Sequence, residues 1–141
     1  MTWPDYFPDG CPPQDAVAAS GTAYRLCLKR AVGGIARAKE FRPHKLFPDP
    51  TTGKAECHRC DVSLDDDLQN LLKLRQTVAD KVGRHYLKRV PAVGDLQPEW
   101  GAMKLTPSDD SPTHRSLWLY DGVNPHESFT VVAEPEVPDE D

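Results

Sequence analysis

The sequence lacks several features that would assign a function at once. Its 141 residues contain no run of about 18 apolar residues, which a membrane-spanning helix requires. The opening MTWPDYFPDG has neither the basic start nor the apolar core of a secretory signal. There is also no glycine-rich phosphate loop, no internal repeat and no Ser/His/Asp arrangement at an informative spacing. We therefore expect a cytoplasmic protein with no membrane segment, and no motif indicates catalysis.

Basic residues are fewer than acidic ones, 17 against 22, which gives a formal net charge of −5. This balance argues against general nucleic-acid binding, because phosphate contacts need Lys and Arg gathered on one face. The charge is uneven along the chain, since residues 25–45 are basic and residues 134–141 are acidic. We interpret the basic stretch as a solvated face, with a local anionic partner as the alternative.

Cysteine is scarce, with four residues in the chain, and a reducing cytoplasm argues against structural disulfides among them. Cys57 and Cys60 are separated by two residues, a spacing that lets both thiolates face one zinc ion. A closed zinc site needs four ligands, and the sequence has no second cysteine pair. The best-placed further ligands are Cys11 and His114. The other candidate ligands are His44, His58, His85 and His126.

Two alternatives to zinc remain for this cysteine pair. A redox pair would place its first cysteine at the N-terminus of a helix, where the dipole lowers the thiol pKa. The predicted helix begins only after Ser63, so its dipole is aimed at neither thiol. The other alternative is two reduced cysteines that serve packing.

Proline and glycine are frequent, at 14 and 9 residues, which predicts short elements joined by long loops. Four of the prolines lie in the first 13 residues, so we expect an extended N-terminal arm over residues 1–20. The arm and the rest of the chain to residue 133 are predicted to form a single domain. Residues 134–141 are predicted to be an acidic, disordered tail.

Local patterning predicts an α+β fold in which a mostly antiparallel sheet packs against one amphipathic helix. Residues 22–29 alternate as a strand, with Arg25 and Cys27 on one face. Leucines recur at helical spacing over residues 64–83, with Ser63 as the N-cap and Gly83 as the end. We predict a short helix before Pro43, and residues 91–98 show no periodicity. Further strands are predicted in WGAMKLTP, SLWLYD and SFTVVAE.

Two enzymatic interpretations use isolated residues. His114 in THRS and His126 in PHES resemble the paired His-x-Ser/Thr elements of two-histidine phosphoesterases, in which imidazoles act as acid and base. Arg25 in SGTAYRL resembles the nicotinamide-contacting arginine of ADP-ribosyltransferase-like folds, which need a later Glu such as Glu134 or Glu136. Either enzyme would act on an anionic, nucleotide-like or phosphate-containing substrate. Arg25, His114 and His126 should then line one pocket.

The segments FPDGCPPQDA, SGTAYRL, CHRCDVSL, KLTP and THRSLW together resemble a group of small uncharacterised bacterial proteins. Their pattern is a Cys-Pro-Pro arm, a Tyr-Arg strand, a Cys-x-x-Cys-Gly-x-Ser turn, a helix and a Ser-His-His-Thr-Trp-Trp strand. The chain departs from it at Asp61, where the group has Gly, and at Arg115 and Leu117, where it has His and Trp. The resemblance implies no activity.

We therefore expect a small accessory or protein-interaction domain without catalysis or a bound cofactor, with a structural zinc ion as an added hypothesis. The favoured partner is a protein, because irregular segments rich in aromatic residues could form a binding surface. Those aromatic residues are Trp3, Tyr6, Phe7, Trp100, Trp118 and Tyr120. The alternative is the small enzyme described above.

Overall fold

The computed structural model describes residues 1–43 and 46–135 of the chain, so His44 lies outside the described residues. Within those ranges the chain forms one α-helix, α1 (Leu68–Val82), and seven strands. The strands are β1 (Val17–Ala18), β2 (Thr22–Cys27), β3 (Val62–Asp65), β4 (Val90–Asp95), β5 (Gly101–Leu105), β6 (His114–Leu119) and β7 (Thr130–Val131). All pairings are antiparallel, in the order β1-β5-β6-β3-β2-β4-β7. Because α1 packs against β2, β3 and β4, the predicted α+β class is confirmed.

Strand β2, which the alternation over residues 22–29 predicts, lies near the centre of the sheet. On one side it pairs with β4 along its whole length, from Thr22 to Cys27. On the other side it pairs with β3 at a single position, Tyr24 opposite Asp65. The two strands therefore diverge beyond that pair, and a gap opens in the sheet beside Arg25.

The start of the predicted helix is wrong, because Val62–Asp65 forms strand β3 and the helix begins at Leu68. Asp67, not Ser63, is the N-cap, since its Oδ1 accepts a hydrogen bond from the backbone N–H of Asn70 at 2.9 Å. The pairing of β3 with β6 buries Val62 and Leu64, a long-range gain that outweighs the local capping signal at Ser63. The predicted end at Gly83 is confirmed.

Residues 91–98, which show no periodicity in the sequence, contain most of strand β4. Pro91 obscured this strand, since proline lacks the N–H that a central ladder needs. Pro91 pairs with Leu26 of β2, and its carbonyl accepts a hydrogen bond from the backbone N–H of Val132 at 3.0 Å, so the position uses the acceptor that proline retains. The short helix predicted before Pro43 is a single 3₁₀ turn, Ala38–Phe41.

The N-terminal segment (residues 1–16) folds onto the body through successive turns and is not confirmed as an extended arm. Backbone hydrogen bonds close these turns at Phe7, Cys11 and Ala16, each to a proline carbonyl three residues earlier. The segment joins a second buried cluster, apart from the main core. The buried members of this cluster are Phe7, Cys11, Ala55, Cys60 and Trp118.

The aromatic residues expected to form a partner surface are largely used in packing. Phe7 and Trp118 are only 5% and 3% exposed. The ring of Trp3 stacks on Phe7 at a centroid distance of 5.7 Å and on Tyr120 at 4.4 Å. Trp3, Tyr6, Trp100 and Tyr120 are half-buried, so a protein partner at these residues stays a prediction.

The end of the described chain forms an ion pair with helix α1. Glu134, the first residue of the predicted acidic tail, accepts hydrogen bonds from the Arg75 guanidinium through both carboxylate oxygens. Residues 136–141 lie outside the described residues, so the predicted disorder of the tail stays a prediction. No helix in the described ranges is long and apolar enough to cross a bilayer.

Candidate functional site

A cleft of about 500 Å³ opens between α1, the 3₁₀ helix Arg84–Lys88 and the sheet. This volume is within the range of roughly 300–1,000 Å³ that is typical of small-molecule sites. Its polar lining consists of Arg25, Ser63, Asp65, Tyr86, Arg89 and His114. Its apolar lining consists of Leu26, Leu64, Leu71 and Leu74.

Arg25 fills the gap between β2 and β3 and is only 6% exposed. Its Nε donates to the backbone carbonyl of Glu40 at 2.5 Å, and its Nη1 donates to the carbonyl of Ser63 at 2.6 Å. The guanidinium carbon lies 5.6 Å from the ring centroid of Phe41, which suits a cation–π contact. These contacts fix the guanidinium at the floor of the cleft.

The charge of Arg25 has no direct counter-ion. In the described part of the chain, no carboxylate forms an ion pair with it. Burial lowers the pKa of Arg25, and the nearby Glu40 carboxylate partly offsets that effect. No hydrogen bond joins its Nη2 to any residue of 1–43 or 46–135. Since buried charges in proteins are normally paired, this guanidinium is suited to receive an anion.

Arg89 and Tyr86 bring a second cation to the same cleft. The guanidinium carbon of Arg89 lies 4.9 Å from the Tyr86 ring centroid. The Nη1 of Arg75 on α1 donates to the backbone carbonyl of Arg89 at 2.7 Å and fixes the chain there. Arg89 and Arg25 are close enough for the charge of Arg89 to contribute to the lowered pKa of Arg25, after the larger effect of burial.

His114 is held in one tautomer by Thr106. Its Nδ1 lies 2.9 Å from the carbonyl oxygen of Thr106 and 2.9 Å from the Thr106 hydroxyl. Because the carbonyl can only accept, the geometry assigns the ring proton to Nδ1 and leaves a lone pair on Nε2. In the described ranges, Nε2 has no hydrogen-bond partner, so it is free to accept a proton or a hydrogen bond.

Two acidic residues, Asp65 and Asp61, lie near the cleft. Asp65, 1% exposed, accepts hydrogen bonds from Ser111, Thr113 and the backbone of Asp67, at 2.6, 2.5 and 3.0 Å. This carboxylate therefore holds the loop and strand together. Burial raises the pKa of Asp61, an effect that Ser116, His114 and Arg25 partly oppose.

The structure brings together two of the three residues proposed for an enzyme site. Arg25 and His114 line the same cleft, but His126 lies in a separate open groove with Arg30 and Arg37. The Nδ1 of His126 is 2.9 Å from the carbonyl oxygen of Ala36. The single pocket required by the enzymatic hypothesis therefore does not form around all three residues.

The glutamates considered for an ADP-ribosyltransferase-like site do not join Arg25. Glu134 pairs with Arg75 at the end of the described chain. Glu136 lies outside the described residues.

The expectation that the cysteines form no disulfide is wrong, because Cys57 is bonded to Cys11 across a Cα–Cα distance of 5.5 Å. The turns of the N-terminal segment bring Cys11 onto the loop before β3, an approach that residue spacing could not reveal. Cys60 is a free, buried thiol that donates to the carbonyl of Glu56 at 3.4 Å. Burial raises the pKa of Cys60, and also that of the free Cys27, to about 11.

Residues 1–43 and 46–135 contain no group of three or more His, Cys, Asp or Glu side chains placed to hold a metal ion. Of the four ligands suggested for zinc, Cys11 and Cys57 form the disulfide, and His114 is held by Thr106 at the cleft. Zinc at Cys57 and Cys60 stays a prediction. It would first require reduction of the Cys11–Cys57 bond.

Tyr86 and Arg89 line the cleft but carry no sequence signal that predicts a site. They lie between the end of α1 at Gly83 and strand β4, in a stretch without a recognisable motif. Recognition of strand β4 directly after them would have placed both residues beside the sheet, but Pro91 made that strand hard to recognise.

Comparison of the chain with protein-family models, with curated proteins and with solved structures gives no match.

Proposed function

We propose that the protein is a non-catalytic binding domain that holds a small anionic group, a carboxylate or a phosphate, in the cleft between α1 and the sheet. The observation that carries the proposal is Arg25, a buried guanidinium that forms no direct ion pair with a carboxylate among the described residues. A ligand anion would supply that counter-charge, and Arg89 would add a second charge-assisted hydrogen bond.

An accessory role in which binding is itself the activity agrees with this proposal. The anionic group could belong to a free small molecule or to a protein partner that inserts an acidic side chain. The proposed cytoplasmic location bears on the cysteines. In a reducing compartment, Cys11, Cys57 and Cys60 would be three thiols near one another, and zinc binding there would be a separate, structural property.

A calorimetric titration with inorganic phosphate and with acetate at constant ionic strength tests the proposal. Arg89→Gln should weaken binding at least tenfold, since one charge-assisted hydrogen bond contributes roughly 1.5–3 kcal/mol. Arg84→Gln is the matched control, because Arg84 is exposed in the 3₁₀ helix that precedes Arg89 and does not line the cleft. Equal losses in both variants, or no binding of either anion at millimolar concentration, would contradict the proposal.

The second candidate function is a small enzyme that acts on a phosphate-containing substrate in the same cleft. The specific observation in its favour is the free Nε2 of His114, which can serve as a general base. Hydrolysis of p-nitrophenyl phosphate esters should then be lost in His114→Gln and kept in His126→Gln, since His126 lies in another groove. Binding of phosphate without turnover of these esters favours the non-catalytic domain.

A further inference from the structure

We infer that the ligand of this cleft is amphipathic, with one anionic head joined to an apolar body, as in an aliphatic or aromatic carboxylic acid. The inference rests on the proposed anion site and adds the class of ligand. Its basis is the distribution of cations, apolar side chains and a buried carboxylate around the cleft.

The cations gather on one side of the cleft. Arg25 belongs to β2, and Arg89 directly precedes the neighbouring strand β4, in which Val90 pairs with Cys27. His114 belongs to β6, three strands away from β4 in the sheet order. At about 4.8 Å per strand, the β4 and β6 sides are roughly 14 Å apart. An anionic head is therefore best held between Arg25 and Arg89, on the β2 and β4 side.

The remaining walls are apolar and come from the strands and the helix. Leu26 and Leu64 belong to β2 and β3, and Leu71 and Leu74 to α1 above them. Leu74 is only half-buried, so it still has surface to remove from water. Leu26, Leu64 and Leu71 are already buried, so a ligand body that extends from the arginines toward β6 would remove its own apolar surface and the remaining surface of Leu74 from water.

A second anionic group on the ligand is disfavoured at the other end. Asp65 on β3 pairs with both Tyr24 of β2 and His114 of β6, so it is buried along the path toward β6. Its oxygens already accept from Ser111, Thr113 and Asp67. A second ligand anion would approach this carboxylate without gaining a donor from it. The cleft therefore selects a ligand with a single charged head over a molecule charged at both ends.

The inference is tested on the unaltered full chain with a series of alkyl carboxylates, namely acetate, butanoate, hexanoate and octanoate. Affinity should rise roughly two- to fourfold per methylene until the cleft is filled. Adipate, which carries a carboxylate at both ends, should bind at least tenfold more weakly than hexanoate. Phenylacetate is included to compare an aromatic with an aliphatic ligand body. Tighter binding than hexanoate indicates an aromatic body, and weaker binding indicates an aliphatic one.

A pair of helix variants adds a matched control. Leu74→Gln should abolish the dependence on chain length, while Leu72→Gln should keep it, because Leu72 is half-buried on the same helix and does not line the cleft. Affinity independent of chain length in the unaltered protein, or equal effects of the two substitutions, would overturn the amphipathic ligand. If Arg89→Gln still weakened acetate binding in that case, the anion site would stand. Absence of binding by every anion would remove both proposals.

Discussion

The guanidinium of Arg25 on β2 donates from Nη1 to the backbone carbonyl of Ser63 on β3 at 2.6 Å, beyond the single position where these strands pair. A charged side chain thus occupies the place of a missing ladder hydrogen bond in the middle of the sheet. Arg25 also lines the cleft. The same side chain therefore bridges the two strands and, in the proposed function, binds the ligand anion through Nη2. Structure and proposed binding are therefore linked at Arg25.

Replacement of Arg25 should destabilise the fold. Arg25→Met would leave the carbonyls of Glu40 and Ser63 without their donor, at a cost of roughly 1–3 kcal/mol in the free energy of unfolding. Arg30→Met is the control, because exposed Arg30 also donates to a backbone carbonyl, that of Ile35. Its loss should stay within about 0.5 kcal/mol in urea unfolding. Equal losses in the two variants would show that Arg25 does not bridge the strands.

Reduction of the Cys11–Cys57 disulfide should lower stability. The bond closes a loop with a sequence separation of 46 residues. Chain entropy then predicts a loss of about 4 kcal/mol on reduction. Denaturant unfolding with and without reductant measures this difference, and the double variant C11S/C57S should not respond to reductant. An unchanged midpoint for the unaltered protein would mean that the two cysteines are not bonded in solution.

Stability should also fall at alkaline pH because of the two buried thiols. Folding raises the pKa of Cys27 and Cys60 from the ordinary value of 9.0 to about 11. Between those values the unfolded chain has lost protons that the folded chain retains. Their contribution is therefore complete below pH 9 and is lost as pH rises toward 11. Each thiol contributes a slope of at most about 1.4 kcal/mol per pH unit.

The control for this pH effect is the variant C27A/C60A. Its free energy of unfolding should depend less on pH between 9 and 11 than that of the unaltered protein. Identical slopes would show that the thiols are not buried as described.

The position of the helix N-cap can be decided with two alanine variants. Asp67→Ala should lower the free energy of unfolding by about 1 kcal/mol, because Asp67 accepts the backbone N–H of Asn70. Ser63→Ala, at the cap that local sequence predicts, should change it by less than about 0.5 kcal/mol. Thermal unfolding measures both, and the reverse ranking would contradict the start of α1 at Leu68.

Much of the fold follows from local patterns in the sequence. The alternation around Arg25 marks β2, the leucine spacing marks the body of α1, and Gly83 marks its end. Strand β5 likewise lies in the predicted WGAMKLTP, and β6 overlaps the predicted SLWLYD over residues 116–119. These features are readable because they depend on residues only a few positions apart.

Other features depend on contacts between distant residues, and only the tertiary structure decided them. Val62–Asp65 forms a strand because β6 pairs with it, and Pro91 belongs to β4 because that strand pairs with β2 along its whole length. Cys11 reached Cys57 because turns folded the N-terminal segment onto the body.

The candidate site divides in the same way between sequence and tertiary structure. The local segments SGTAYRL and THRS indicated Arg25 and His114 as candidate site residues. Their separation from His126, and their union with Arg89 in one cleft, depend on strand order and on the position of α1 over the sheet. Spacing along the chain does not encode either, because both arise from the packing of elements that are remote in sequence.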